Sequence, residues 1–169
     1  RGAHDLYREH GITDQTRTLA YLEPSMFGVL DALRADGPHT YAQRFHLHPS
    51  LSEIVADDAG AVVAGAEERP SVVLVAPHAD RMRLVHGDDD PPERSWYFPR
   101  DREADPTTTV VFETDGVAGR TALPVLLAVY APGAPAGRPS LELSRTATET
   151  RVIARSDERT WVVRLPAPP

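Results

Sequence analysis

Apolar and polar residues alternate with a period of two along much of this 169-residue chain. The clearest case is the segment 39–48, which reads HTYAQRFHLH. One face of this segment carries Tyr41, Gln43, Phe45 and Leu47. Because successive side chains of a β-strand point to opposite sides, the alternation predicts a strand with one buried face. An amphipathic helix would need apolar residues three and four positions apart instead.

Short strand-like segments recur from end to end and are separated by turn-forming residues. The predicted strands are 16–22, 26–33, 39–48, 52–56, 61–63, 71–76, 81–86, 107–114, 123–130, 140–146, 150–154 and 160–165. Proline and glycine mark turns at 23–25 and 35–38, and the polar, proline-containing stretch 87–106 is predicted to be a long exposed loop. The pattern predicts an all-β fold, namely a two-layer antiparallel β-sandwich of the super-sandwich type with about a dozen strands and little or no helix.

The length suits one domain, and we assign residues 1–165 to a single β-sandwich. Residues 166–169 (PAPP) are predicted to be a proline-rich tail, because proline lacks the backbone donor that a sheet needs. The chain opens at Arg1 rather than at methionine, so we expect a C-terminal fragment of a longer protein. No apolar run reaches the ~20 residues that a membrane-spanning helix requires, and no membrane partner is expected.

Charge and cysteine usage exclude several kinds of function. The net charge of -7 argues against a nucleic-acid partner, since phosphate neutralisation needs clustered positive charge. The absence of cysteine excludes disulfides and thiolate metal sites, and it fits a location outside the cytoplasm. The 18 basic residues are all arginines, whose forked guanidinium groups can pair with carboxylates or sulfates.

Several motifs follow one another in a characteristic order. They are His4-Asp5-Leu6-Tyr7, Thr16-Arg17, VLDAL at 29–33, HTY at 39–41, FHLHP at 45–49, SWY at 95–97, Leu123-Pro124 and VYAP at 129–132. Their combined order resembles the C-terminal β-sandwich domain of heparinase II/III-like polysaccharide lyases over residues 2–132.

This resemblance implies a bacterial, secreted or periplasmic enzyme with a helical toroid as an N-terminal domain of the same chain. Such a lyase cleaves uronic-acid-containing polysaccharide by β-elimination, which requires neutralisation of the uronate carboxylate, a base for the C5 proton and an acid for the leaving oxygen. The family's His-x-His-x-Asp and Ala-His-Asn stretches do not occur in this sequence. We therefore expect the catalytic residues upstream, and we expect this segment alone to be inactive.

Five residues are candidates for contact with an acidic polysaccharide. His4, Tyr7 and Arg17 lie on the earliest strands, which the resemblance places near the substrate cleft. Trp96 and Tyr97 lie among arginines in the predicted long loop, where aromatic rings could stack on sugars. The alternatives are a hydrogen-bonded cluster at a sheet edge for the first three and an anchor for the loop in the case of the two aromatic residues.

A metal site is a weaker alternative. His46 and His48 share His-x-His spacing on one predicted strand face, but no third ligand is identifiable from the sequence. We expect no cofactor in this segment and leave open a divalent metal in the full-length protein. A second interpretation of the whole chain is a stand-alone carbohydrate-binding or structural β-sandwich module without catalysis.

Overall fold

The structure is a computed structural model. It describes residues 2–4, 11–22, 24–57, 60–66, 68–87, 95–100, 103–134, 137, 139–146, 149–156 and 159–166, with only the backbone described at 2–4, 66, 145, 165 and 166. The strands are β1 (Gly2–His4), β2 (Ile12–Leu22), β3 (Met26–His46), β4 (Glu53–Ala56), β5 (Ala61–Ala66), β6 (Arg69–Val75), β7 (Arg81–His86), β8 (Trp96–Arg100), β9 (Glu103–Pro106), β10 (Thr108–Tyr130), β11 (Ser140–Arg145), β12 (Glu149–Arg155) and β13 (Thr160–Pro166). These ranges contain no helix, which confirms the all-β prediction.

Most strands join one antiparallel sheet of eight strands. Its order is β1-β2-β3-β10-β6-β5-β4, and β7 pairs with β10 beside the part of β10 that does not contact β6. A three-stranded sheet has the order β11-β12-β13, and β8 pairs with β9 in a sheet of two. The predicted C-terminal meander is thus confirmed.

The two central strands are longer than the sequence suggests. The predicted turn at 35–38 is wrong, because β3 runs without interruption through Gly37 and Pro38. The predicted separation of 107–114 from 123–130 is also wrong, since both belong to β10. Pairing between β3 and β10 holds over most of their lengths and shifts register between Thr114 and Gly119.

This irregularity explains how a proline-containing segment can lie inside a strand. The ladder has no paired partner for Pro38, so the missing backbone donor costs no ladder hydrogen bond. On β10, Gly116 and Gly119 adopt φ angles of 64° and 61°, in the left-handed region that glycine enters without a steric penalty. Such bulges bend a strand and increase its twist, so β3 and β10 can change direction here without ending.

The bend folds the sheet back over itself and produces the two layers. One buried cluster combines Val29 and Val125, from one half of each long strand, with Val110 and Phe112 from the other half of β10. Phe45, near the end of β3, packs against the same cluster, and its ring lies 6.0 Å from that of Phe112 in an edge-to-face arrangement. This interior lies between the two halves of the main sheet, as the sandwich prediction requires.

We call the layer with the first half of β3 and the second half of β10 the first layer, and the layer with the other halves the second layer. The three-stranded sheet covers the outer face of the first layer. Leu141, Val152 and Ala154 from that sheet share a buried cluster with Leu30 and Leu126 of the main sheet. Both faces of the first layer are therefore covered, which is why strands such as β6 read as continuous apolar runs.

Two predicted boundaries differ from the structure. Within the predicted loop 87–106, residues 96–100 and 103–106 form the β8–β9 hairpin, whereas 88–94 and 101–102 lie outside the described residues. The last ladder reaches Pro166, opposite Glu149, so β13 ends one residue later than predicted. The division into a domain at 1–165 and a tail at 166–169 stays a prediction.

Candidate functional site: a buried polar network and an aromatic hairpin

A carboxylate lies at the centre of the folded sheet. Asp31 points into the interior between the layers, and its side chain is 0% exposed. The guanidinium of Arg17, on the neighbouring strand β2, donates two hydrogen bonds to this carboxylate, from Nε and Nη2, each 2.6 Å long. This two-point geometry is the strong form of an arginine–carboxylate pair, and it neutralises a charge that could not otherwise be buried.

Side chains from the second half of β3, in the second layer, make the remaining hydrogen bonds to Asp31. The amide Nε2 of Gln43 donates to Asp31 Oδ2 at 2.9 Å and to the carbonyl of Leu123 at 3.1 Å. The hydroxyl of Tyr41 donates to the same carboxylate oxygen at 3.4 Å and accepts a 2.7 Å hydrogen bond from Gln15. The network therefore links β2, both halves of β3 and β10.

His78, which lies between β6 and β7, is the last member of the network. Because Gln43 Nε2 donates to two oxygens, its Oε1 is the acceptor, and His78 Nε2 must donate the 2.8 Å bond that joins them. The neutral imidazole thus carries its proton on Nε2. Its Nδ1 is buried and makes no hydrogen bond within the described part of the chain.

Burial shifts the protonation equilibria of these groups. Burial, aided by the charge of Asp31, raises the pKa of Tyr41 to about 12. Burial lowers the pKa of His78 to about 4, against the opposing effect of the Pro124 carbonyl and of two carboxylates. The hydrogen bonds to Asp31 raise the pKa of Arg17. At neutral pH the network therefore contains an ionised Arg17, a neutral phenol and a neutral imidazole.

A second group of polar residues attaches the β8–β9 hairpin to the end of β3. Ser95 is buried and donates to Thr109 Oγ1 at 2.8 Å, and the same oxygen lies 2.8 Å from His46 Nδ1. The Thr107 amide donates to the Ser95 carbonyl, and the Thr107 hydroxyl donates to the carbonyl of Leu47. These contacts fix the start of the hairpin against the second layer.

The hairpin presents aromatic side chains beside a histidine. The ring of Tyr97 is 38% exposed and tilts against the ring of His48 at a centroid distance of 4.9 Å. Phe98 is 67% exposed. Trp96 is half-buried, and its indole nitrogen is buried without a hydrogen bond to any described residue. Tyr97 and Phe98 can therefore contact a ligand, whereas Trp96 is positioned to anchor the hairpin.

The two histidines of the His-x-His spacing each have a hydrogen-bond partner at Nδ1. The amide of Ser50 lies 3.2 Å from His48 Nδ1, and the Ser50 hydroxyl oxygen lies 2.8 Å from the same nitrogen. His46 already has Thr109 at its Nδ1. The described residues contain no group of three or more side chains that could hold a metal ion.

The predicted contact residues fall into separate places. Arg17 belongs to the buried network, and Trp96 and Tyr97 belong to the hairpin. No hydrogen bond or ring contact between described residues joins these two groups. The backbone of His4 pairs with Gln15, but its side chain is not described, and Tyr7 lies outside the described residues. Substrate contact by these five residues stays a prediction.

Sequence reasoning missed most of the buried network. Asp31 appeared only as part of a motif, and no role was assigned to Gln43 or His78. One signal was available for Gln43, since the alternation of 39–48 places this polar side chain on the face that should be buried. His78 carries no comparable signal, because its role depends on the folding of distant segments.

The fold and these sites together define an antiparallel β-sandwich domain whose long central strands double back on themselves. The sequence matches the family described as Heparinase II/III-like, C-terminal, over residues 1–126, so the chain belongs to this family. The resemblance seen in the sequence motifs is thereby confirmed. No curated protein matches the chain.

Solved structures of lyases share the fold. A heparan sulfate lyase mutant, HepC from Pedobacter heparinus, superimposes with a TM-score of 0.76 at 15% identity, covering 98% of this chain and 25% of that one. Heparinase III, the BT4657 gene product, gives a TM-score of 0.73 at 10% identity, covering 97% of this chain and 25% of that one. A further structure of heparinase III gives 0.69 at 12% identity, covering 93% and 24%.

The chain thus spans about a quarter of the length of the solved structures that it matches. At these identities the likeness concerns the fold. Within the described residues we find no helix with the length and apolar character needed to cross a membrane.

Proposed function

We propose that this chain is the C-terminal β-sandwich domain of a polysaccharide lyase that cleaves uronic-acid-containing polysaccharide by β-elimination. The observation that carries the proposal is the match to the heparinase II/III-like C-terminal family over residues 1–126. The structural likeness to a heparan sulfate lyase and to heparinase III over nearly the whole chain supports it. The catalytic acid and base are expected in the part of the longer protein that precedes this chain, which includes a helical toroid.

The buried network gives the domain a bracing role in this proposal. A lyase holds its reacting groups in place most effectively when the scaffold behind them is rigid. The Arg17–Asp31 pair and the Gln43 bridge join the two layers by charge-assisted and buried hydrogen bonds. We assign Arg17 to this bracing function, since both of the donors that it directs at Asp31 are committed there.

The aromatic hairpin supplies the substrate contacts. Tyr97 offers a partly exposed ring that His48 supports from one side, and Phe98 is exposed beside it in sequence. Aromatic faces suit the apolar C–H surfaces of sugar rings, and Arg100 on the same strand is exposed for pairing with a carboxylate or a sulfate. Contacts of this kind hold the polymer without taking part in proton transfer.

The protein is expected to act outside the cytoplasm, where such polymers occur. We assign no metal or other cofactor to this segment, because no third ligand joins His46 and His48 among the described residues. Any divalent metal of the complete enzyme would be held by residues outside this chain.

The test is an elimination assay on the full-length protein. Heparan sulfate, hyaluronan and alginate are offered separately, and the ultraviolet absorbance of the unsaturated uronate is recorded. We expect absorbance to rise with at least one polymer for the full-length protein and to stay flat for residues 1–169 alone. Retention of a polymer without any cleavage would favour the alternative, a carbohydrate-binding module without catalysis, and would contradict the proposal.

A further inference from the structure

A small pocket lies where the three-stranded sheet meets the end of the first layer. Its volume is about 230 Å³. Met26, at the start of β3, and Tyr130, at the end of β10, line it from the main sheet, and Trp161, near the start of β13, lines it from the three-stranded sheet. Pockets for drug-sized ligands begin at about 300 Å³, so this one, which we call the junction pocket, suits a ligand the size of a single sugar ring.

The aromatic lining of the junction pocket is held in place by the core. Tyr130 and Trp161 both pack against the buried cluster that joins the two sheets, and Met26 is a buried member of that cluster. Trp161 is only half-buried, so part of its side chain also reaches the surface. The pocket therefore presents a fixed aromatic surface, which a ligand can use without first ordering it.

An arginine lies at the same pocket. The amide of Ser156 donates to the carbonyl of Arg159 at 2.9 Å, and the amide of Arg159 donates to Ser156 Oγ at 3.2 Å. These bonds fix the backbone that carries Arg159, whose side chain is exposed.

This arginine differs from the others whose side chains are described on the three-stranded sheet. Arg151, Arg155 and Arg164 each form an ion pair with a glutamate. No described carboxylate pairs with Arg159. Its guanidinium can therefore donate to an anionic group that enters the junction pocket.

An aromatic surface beside a guanidinium matches the two chemical features of an acidic sugar. The C–H face of a pyranose ring packs on an aromatic side chain, and a carboxylate or sulfate accepts the paired hydrogen bonds of an arginine. We propose that the junction pocket binds one acidic pyranose residue, with its ring against Trp161 and its anionic group on Arg159. The ligand is thus a uronate or a sulfated sugar, either free or as one unit of a polymer.

The junction pocket is separate from the sites described above. Tyr130, Arg159 and Trp161 all follow residue 126, where the family match ends, so that match does not account for them. The pocket shares no lining residue with the Asp31 network or with the β8–β9 hairpin. A second attachment point of this kind would raise the local concentration of an acidic polymer at the protein. The inference concerns binding and does not rest on lyase activity.

Hydrogen exchange of the full-length protein, followed by mass spectrometry, gives the first test. The probes are glucuronic acid, which carries a carboxylate and has no glycosidic bond to cleave, and N-acetylglucosamine 6-sulfate, which carries a sulfate. Methyl glucoside and sodium acetate at the same concentrations are the controls for a neutral ring and for an anion without a ring. We expect at least one acidic sugar to slow exchange in peptides that contain residues 128–130 and 159–161, and neither control to do so.

The comparison of the two acidic sugars identifies the preferred anion, and protection by either of them supports the proposal. Absence of protection by both would overturn it. Protection of the same peptides by methyl glucoside or by acetate, to the same extent, would also overturn it, because the pocket would then not require an acidic ring.

Substitution gives the second test, and its readout is the sugar concentration that half-protects the peptide containing residues 159–161. Arg159→Ala removes a charge-assisted pair and should raise this concentration about tenfold. Trp161→Leu keeps an apolar side chain against the buried cluster but removes the stacking surface, and we expect a rise of about fivefold.

The matched control is Arg164→Ala, which removes the same charge from the opposite face of β13. It should leave the half-protecting concentration unchanged. Equal effects of Arg159→Ala and Arg164→Ala would indicate a general effect of charge and would contradict the proposed site. Unchanged binding in both Arg159→Ala and Trp161→Leu would overturn the proposal outright.

Discussion

Asp31 and Gln43 lie twelve residues apart on one continuous strand, yet their side chains are joined by a 2.9 Å hydrogen bond. A straight strand of that length would separate them by about 40 Å. The bond can form only because β3 folds over at the irregularity between its halves. Asp31, whose side chain is fully buried, takes its place at this contact, so the folding of the strand and the placement of the charge depend on each other.

Replacement of Arg17 by alanine should destabilise the domain strongly. It leaves the buried carboxylate of Asp31 without its cation, a change that usually costs 3–5 kcal/mol. Arg17 is partly exposed and Asp31 keeps its bond to Gln43, so we expect a loss of about 2–3 kcal/mol in the free energy of unfolding. A urea titration measures this loss in unfolding free energy, and hydrogen exchange of the β3 amides gives a second measurement. Arg69→Ala, at an exposed strand position, is the control, and equal effects of both substitutions would contradict this assignment.

Acid should destabilise the fold through His78. Its pKa is about 4 in the folded protein and 6.5 in the unfolded chain, so between these values the unfolded state binds the extra proton. Stability is complete above pH 6.5 and falls as the pH drops towards 4, by roughly 3 kcal/mol in total.

The control for this pH effect is His78→Gln, which keeps an amide donor for Gln43 but cannot titrate. Unfolding free energies measured between pH 4.5 and 6.5 should show a clearly flatter slope for this variant than for the unsubstituted protein. An unchanged slope would mean that another group is responsible.

The bend in β10 should depend on the glycine at its irregularity. Gly116 has a φ of 64° and no atom near the place of a new Cβ, so Gly116→Ala tests backbone strain alone. We expect a loss of about 1–2 kcal/mol in unfolding free energy. Gly37→Ala is the matched control, because its site is equally open and its φ is ordinary; that change should be neutral or slightly stabilising. Equal losses for the two variants, measured by denaturant titration, would argue against a strained bulge.

Loss of the Tyr97 ring should weaken substrate binding more than turnover. If the hairpin only holds the polymer, Tyr97→Ala in the full-length enzyme raises KM about five- to tenfold and changes kcat by less than about twofold. Tyr97→Phe keeps the stacking surface and should behave like the unsubstituted enzyme. A fall in kcat at constant KM would instead place Tyr97 in the chemical step.

The sequence predicts local structure better than it predicts the way the sheet folds. The strand at 81–86 has its predicted bounds, and each boundary of the C-terminal meander lies within one residue of the prediction, because alternation and turn residues are local signals. The segment 35–38 misled the prediction, since proline and glycine also occur at a bulge inside a strand. The network around Asp31 joins residues up to 80 positions apart, and no local pattern encodes such contacts.

The candidate site, like the fold, could be predicted from the sequence only in part. Tyr97 stood out in the sequence as an aromatic residue among arginines, and it is partly exposed in the structure. The partner that supports its ring, His48, drew attention only as a possible metal ligand. The contact between the two rings depends on how the β8–β9 hairpin folds over the end of β3, and the sequence predicted a loop there.

The central claim concerns the chemistry of the complete enzyme, and isotope labelling tests it most directly. The full-length protein is incubated in water enriched in ¹⁸O with the uronic-acid-containing polymer that it cleaves, and the cleavage products are examined by mass spectrometry. Elimination adds no water, so we predict unsaturated products without ¹⁸O at the cleaved bond. Saturated products that carry ¹⁸O at the new chain end would identify a hydrolase and would contradict the account.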